Sequence, residues 1–210
     1  MKRRLESTLL WLAVAHLSVI ATSNYLVQMP FVLFGFHTTY GAFTFPLIYV
    51  ITDLTVRLYG RSLARKVIAV AMFPALLFSY AISVVFQDAH YRGLSALSSF
   101  DLFVFRIALA SFSAYVVAQP MDIFVFARLR KLPQWWIAPG SSSIVGNALD
   151  SMIFFFIAFY ASTNTYMAEH WVEIAWVDYV IKMIFSIVLM LPIYGAFLAL
   201  ITRRSLKPSA

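Results

Sequence analysis

The basic residues of this 210-residue chain fall into four short clusters, separated by pairs of long apolar stretches. Lys2, Arg3 and Arg4 open the chain, and Arg57, Arg61, Arg65 and Lys66 form the second cluster. Arg128, Arg130 and Lys131 form the third, and Arg203, Arg204 and Lys207 the last. Each gap has room for two membrane crossings joined by a loop almost free of positive charge. Short loops rich in Lys and Arg stay in the cytoplasm. The pattern therefore predicts an all-α, polytopic membrane protein with six transmembrane helices and both termini inside. It excludes a soluble domain.

Composition enters where charge must be explained. Hydrophobic residues make up 62% of the chain and charged residues only 12%, with a mean hydropathy of +0.82, far above the globular average. The net charge of +7 lies at the ends of apolar segments, so it is a topology signal and an attraction to anionic lipid rather than a nucleic-acid footprint. The chain has no cysteine, which removes disulfides, thiol catalysis and cysteine metal sites. The first apolar run follows a basic triplet but is long and lacks a clear small-x-small cleavage site, so it is read as a retained helix.

Spans of roughly the 20 residues needed to cross a bilayer are predicted at about 7–28, 42–59, 63–86, 100–126, 136–160 and 171–201. A Pro- and Gly-containing stretch from Met29 to Gly41, a loop holding Asp88, His90, Arg92 and Gly93, and a polar loop from Ala161 to His170 connect them on the outer side. No linker, low-complexity segment or internal repeat is evident, so residues 1–210 are read as a single six-helix transmembrane domain. Ala110, Ala114 and Ala118 form a stripe of small residues that lets helices approach closely. Helix packing and a docking face for a partner protein both fit it; a homo-oligomer is compatible with the chain as a whole.

The charges left inside the spans carry the functional question. Asp53 and Arg57 lie four apart, as do Asp178 and Lys182; Arg106 and Asp150 have no opposite charge on their own helix. A lone charge at a helix centre costs about 2.5–3.5 kcal/mol even on lenient insertion scales, so these groups are expected to face the bundle interior or a watery cavity. The i,i+4 pairs have a second reading, in which they neutralise one another and ease insertion. Asn24 adds a polar group in the outer part of the first span, and Gln119 and Asp122 add two near Pro120. Ser143, Asn147 and Asp150 fall on one face of the fifth, which predicts a polar stripe and a cavity.

Enzyme chemistry finds no support. His16, His37, His90 and His170 are scattered without metal-site spacing on one helix, and neither a phosphate loop nor a G-x-S-x-G elbow is present. Asp150 and Asp178 lack the Gly-x-Gly-Asp context of membrane aspartyl proteases. No cofactor or metal is implied.

Several motifs together carry a resemblance: Ser23-Asn24-Tyr25-Leu26-Val27-Gln28, Gly35-Phe36-His37-Thr38-Thr39, Phe45-Pro46 followed by Thr52-Asp53-Leu54-Thr55-Val56-Arg57, Tyr59-Gly60, Gly146-Asn147 with Asp150, and Ala168-Glu169-His170-Trp171. With these the chain resembles the queuosine precursor transporters, of the vitamin-uptake-transporter-like family of bacterial inner-membrane proteins. The resemblance implies uptake of the 7-deazaguanine bases 7-cyano-7-deazaguanine and 7-aminomethyl-7-deazaguanine, salvaged for tRNA queuosine. The partners expected are a small-molecule base and the lipid bilayer. A deazaguanine offers adjacent N–H donors on its pyrimidine edge, which a carboxylate accepts in bidentate fashion. Its carbonyl oxygen requires a donor, and its face an aromatic ring. The candidate site is therefore Asn24, Asp53, Arg106, Asn147, Asp150, Asp178 and Lys182. Asp53 or Asp150 would take the N–H edge and Asn147, Arg106 or Lys182 the carbonyl, with Tyr25, Phe43, Phe45 or Trp176 covering the face. A second reading is a substrate-binding membrane subunit of a larger, energised uptake complex.

Overall fold

A computed structural model describes residues 2–87 and 90–205, with side chains over 6–86 and 90–200. Asp88, Lys207 and the side chains of Lys2, Arg3, Arg4, Arg203 and Arg204 lie outside the described residues. In hydrocarbon every backbone N–H and C=O must be satisfied within the segment, and the apolar runs accordingly form helices. Six of them are long and apolar enough to cross a membrane.

Helix α1 spans Lys2–Leu26, and an antiparallel hairpin of β1 (Pro30–Leu33) and β2 (Phe36–Thr39) follows it. The second span is broken: a single turn, α2 (Gly41–Thr44), precedes α3 (Pro46–Tyr59), with Pro46 in the first turn of α3. Gly60, at φ +84°, ends α3 in a conformation that favours glycine. Helix α4 (Arg61–Val85) returns to a two-residue hairpin of β3 (Phe86–Gln87) and β4 (His90–Tyr91), then a 3₁₀ turn at Leu94–Ser98. Asp101 caps α5 (Leu102–Leu129), its Oδ1 accepting from the Val104 amide at 3.0 Å. Helix α6 is Ile137–Phe159. The last span joins α7 (Thr165–Phe185) and α8 (Leu191–Ser205) through a π-helical segment, Ser186–Met190.

Six spans are present as expected, but two details differ. The stretch from Met29 to Gly41 is an ordered hairpin, not a plain turn, with Thr38 and Thr39 buried. The last span begins at Thr165 rather than near Trp171, because Asn164 supplies an N-cap, its Oδ1 accepting from the Met167 amide at 3.1 Å. That capping residue lay inside a stretch polar enough to read as loop.

Helix α5 packs along α6, and α1 along α4. Ala110, Ala114 and Ala118 are fully buried, and the first two share a core with Phe155 and Ala158 of α6. The small-residue stripe is thus helix packing. Tyr49 of α3 presses against Gly146 of α6; a Cβ there would lie 2.7 Å from the tyrosine ring. Trp11, Phe73, Leu77, Ile184 and Val188 remain exposed, a collar suited to lipid. Arg61, Arg65, Arg128, Arg130 and Lys131 line one cleft at the end of the bundle opposite the β1–β2 hairpin, so the second and third basic clusters meet at the same end.

Candidate substrate cavity and the buried charges

Helices α6 and α7 bring Asp150, Asp178 and Lys182 together. The Lys182 ammonium lies 2.9 Å from Asp150 Oδ2 and 2.6 Å from Asp178 Oδ2, and all three side chains are buried. Ser151 donates to Asp178 Oδ2 at 2.7 Å. The same ammonium sits 4.9 Å from the centroid of the Phe45 ring, in cation–π geometry. Two carboxylates against one cation leave the group with a formal charge of −1 when all three are ionised. Such a charge in a membrane interior stays costly unless a further donor or a proton meets it.

Asp150, Asp178, Lys182 and Phe45 line a narrow cavity, about 20 Å³, together with Ser23, Asn24, Val27, Gly41, Phe154 and Phe155. Asn24 is held by its amide nitrogen, which donates to Ser79 Oγ at 2.5 Å. The Phe45, Phe154 and Phe155 rings supply apolar wall, and the break between α2 and α3 places Phe45 there. Asn147, one turn before Asp150, donates to Ser186 Oγ at 3.4 Å, and its Oδ1 is buried without a partner among the described residues.

A second narrow cavity, also about 20 Å³, lies closer to the basic end and is lined by Asp53, Ser143, Ser186, Met190 and Tyr194 among others. Asp53 makes no ion pair with Arg57 among the described residues. Its carboxylate accepts from Ser142 at 3.3 Å and lies against the carboxyl of Asp122. Beside it, Thr52 Oγ1 is 2.6 Å from Gln119 Oε1 and 3.1 Å from His16 Nε2, tying α3 to α5 and α1.

Arg106 is placed elsewhere. Its guanidinium donates to the carbonyls of Ile157 at 2.7 Å and Ala161 at 3.2 Å, and also to that of Tyr160. It caps the C-terminal end of α6, where a cation satisfies orphan carbonyls and the helix dipole. Arg130 does the same for α3, donating to Val56 O at 2.6 Å. Of the seven residues expected at the site, Asn24, Asp150, Asp178 and Lys182 share one cavity. Asn147 stands between the two, Asp53 lines the other, and Arg106 lines neither. Among the rings considered for stacking, Phe45 alone lines the first cavity. Tyr25 packs on Phe86, Phe43 faces an apolar groove with Trp176, and Trp176 is mostly exposed.

Residues 39–197 match a family described as "Putative vitamin uptake transporter". The chain belongs to this family. It is 53% identical to the queuosine precursor transporter of Escherichia coli K12, over 93% of this chain and 89% of that one. It is 49% identical to a probable queuosine precursor transporter of Haemophilus influenzae, over 97% and 90%, and 28% identical to one from Bacillus subtilis, over 78% and 73%. No solved structure matches. As a vitamin-uptake-type transporter the chain is a multi-pass inner-membrane protein and not an enzyme.

The family match leaves the site to be read from geometry, and several contributors escaped the sequence. Tyr49 lies one turn before Asp53 and was legible only as core. Asp122 was visible as a polar residue beside Pro120, but nothing in its spacing revealed Asp53 as its neighbour. Ser186 does follow Lys182 at i+4, a spacing that could have flagged it.

Proposed function

We propose that this transporter imports 7-deazaguanine precursors of queuosine, 7-cyano-7-deazaguanine and 7-aminomethyl-7-deazaguanine, across the inner membrane for salvage into tRNA. The basic clusters gathered at one end support an orientation with that end, and both termini, in the cytoplasm. The observation that carries the substrate class is the cavity shared by Asn24, Asp150, Asp178 and Lys182 under phenylalanine rings. The names of relatives that match at 53% and 49% identity agree with it.

The cavity has only about 20 Å³ of free room, far below the ~300–1,000 Å³ typical of small-ligand pockets, so its walls must part to admit a bicyclic base. Asp150 or Asp178 accepts the adjacent N–H groups of the pyrimidine edge, and Lys182 donates to the carbonyl oxygen. Asn24 has an amide oxygen left for a further N–H, and Phe45 or Phe154 covers the ring face. Ligand N–H donors meet the excess carboxylate charge, so the base completes an electrostatic group that is one donor short without it. A cationic 7-aminomethyl group gains from the same excess, and a neutral 7-cyano group is tolerated where the wall is apolar.

The test is uptake of radiolabelled 7-cyano-7-deazaguanine by the purified protein in liposomes. Asp150→Asn and Lys182→Met are expected to abolish uptake while each still inserts into membranes. Normal uptake by both would refute this placement of the site. Binding without uptake by the unmodified protein would instead favour a subunit of a larger energised complex.

A further inference from the structure

Asp53 and Asp122 play no part in the substrate cavity, yet both are carboxyls buried within the bundle. Both are buried, Asp122 completely, and their carboxyls lie against each other with the Ser142 hydroxyl beside them. Beyond Ser142 and Asp53 themselves, no donor among the described residues meets the Asp122 oxygens. No cation among the described residues stands within ion-pair distance of either. Two adjacent carboxylates without a cation cannot both stay ionised in a water-poor interior; such pairs share a proton.

The surroundings indicate that this proton moves. Asp53 lines the narrow cavity near the basic end, so one partner is reached from a cavity and the other is sealed behind it. Tyr194 lines the same cavity, its hydroxyl close to the Arg57 guanidinium. Tyr49 carries a buried hydroxyl with no hydrogen-bond partner among the described residues. It lies within electrostatic reach of Asp53 and Asp122 and also of Asp150 and Asp178. The groups facing the pair are Tyr49 from α3, Gln119 from α5, Ser142 from α6 and Tyr194 from α8. Arg57 and Arg130 act on Tyr194 from the basic end, and His16 of α1 is linked only through Thr52.

We propose that Asp53 and Asp122 form a proton-binding site that couples transport to a pH gradient. One carboxylate takes a proton to become a carboxylic acid, which donates its O–H to the other carboxylate. Loss of that proton to the cavity leaves two like charges and drives the helices α3 and α5 apart. This rests on the transport activity proposed above, but not on the identity of the base.

The experiment compares the unmodified protein with Asp122→Asn and with Asp53→Asn/Asp122→Asn in liposomes. Net uptake of labelled 7-cyano-7-deazaguanine is measured under an imposed pH gradient and under an imposed sodium gradient, and substrate exchange is measured without either. The unmodified protein is expected to concentrate substrate at least tenfold more with the pH gradient, and the variants to lose that response but retain exchange. Asp122→Glu, which keeps the carboxyl, is expected to restore part of the response. Uptake indifferent to the pH gradient, or driven by sodium, overturns the proposal, as does a variant that still follows the pH gradient. Infrared spectroscopy of the unmodified protein decides the case without any substrate. A carboxylic C=O band at neutral pH, lost in the double variant, is expected, and its absence overturns the shared proton. Absence of uptake with the band present refutes the substrate reading and leaves the proton site standing.

Discussion

Replacing Lys182 with Met removes the one cation that holds two buried carboxylates, at 2.9 Å from Asp150 and 2.6 Å from Asp178. The formal charge of the group goes from −1 to −2 with every acid ionised. Breaking a buried ion pair by removing one partner costs about 3–5 kcal/mol, because the remaining charge is stranded. Here two charges are stranded, so the upper half of that range is expected, less whatever proton uptake recovers. Against a total stability of about 5–15 kcal/mol, this is a large loss. A second change, Asp178→Asn, removes one stranded charge and leaves Ser151 a neutral acceptor. The double variant Lys182→Met/Asp178→Asn should therefore recover about 1–3 kcal/mol relative to the single, within the usual coupling of contacting residues. The assay is unfolding of purified protein in detergent by denaturant titration, with tryptophan fluorescence as the probe. A Lys182→Met variant within about 0.5 kcal/mol of the parent, or a double variant no better than the single, would refute the triad as the electrostatic centre of the bundle.

Three further outcomes are expected. Arg106→Ala takes charged donors from the last carbonyls of α6 and should lower stability by about 1.5–3 kcal/mol. Its substrate affinity should stay unchanged in an equilibrium binding measurement, and a loss of affinity at unchanged stability would return Arg106 to the site. Gly146→Ala drives a methyl group into Tyr49 and should cost about 1–3 kcal/mol through overpacking, read as a lower melting temperature and relieved when Tyr49 is also shortened to Leu. Asn24→Ala removes one polar contact of the cavity and should weaken binding of 7-cyano-7-deazaguanine about 2–10-fold, the value of one hydrogen bond of 0.5–1.5 kcal/mol; unchanged affinity would place the base elsewhere.

The spans were legible because hydrocarbon leaves a chain little choice: long apolar runs must close their own hydrogen bonds, and the basic clusters mark where they end. Asp150, Asp178 and Lys182 were legible for the same reason, since a charge deep in a span has to find a partner. What the sequence hid was which partner. Asp53 and Arg57 have the spacing of a local pair, yet Asp53 turns toward Ser142 and Asp122 on other helices. Arg106 reads as an orphan needing a ligand, but its partners are backbone carbonyls at the end of α6. Backbone acceptors carry no sequence signature, so an arginine cap across helices cannot be told from a binding residue by spacing. The β1–β2 hairpin was concealed in a similar way, because its pairing depends on a turn at Phe34-Gly35, both at positive φ, within a stretch short enough to read as loop.

The π-helical segment Ser186–Met190 has a rotational consequence. Residues advance about 100° around an α-helix, so Lys182 and Tyr194, twelve apart, would point some 120° away from each other on an uninterrupted span. The Leu191 amide instead donates to Ser186 O, five residues back, and a π turn of this kind accommodates about one extra residue. Subtracting one residue from the count brings the two side chains to within roughly 20° of a common direction. The sixth span is thus one rod with two phases, indexed so that the cation above and the phenol below both look inward. Deleting a single residue from 186–190 would let the rod close into an ordinary α-helix and turn one of its two faces out toward lipid.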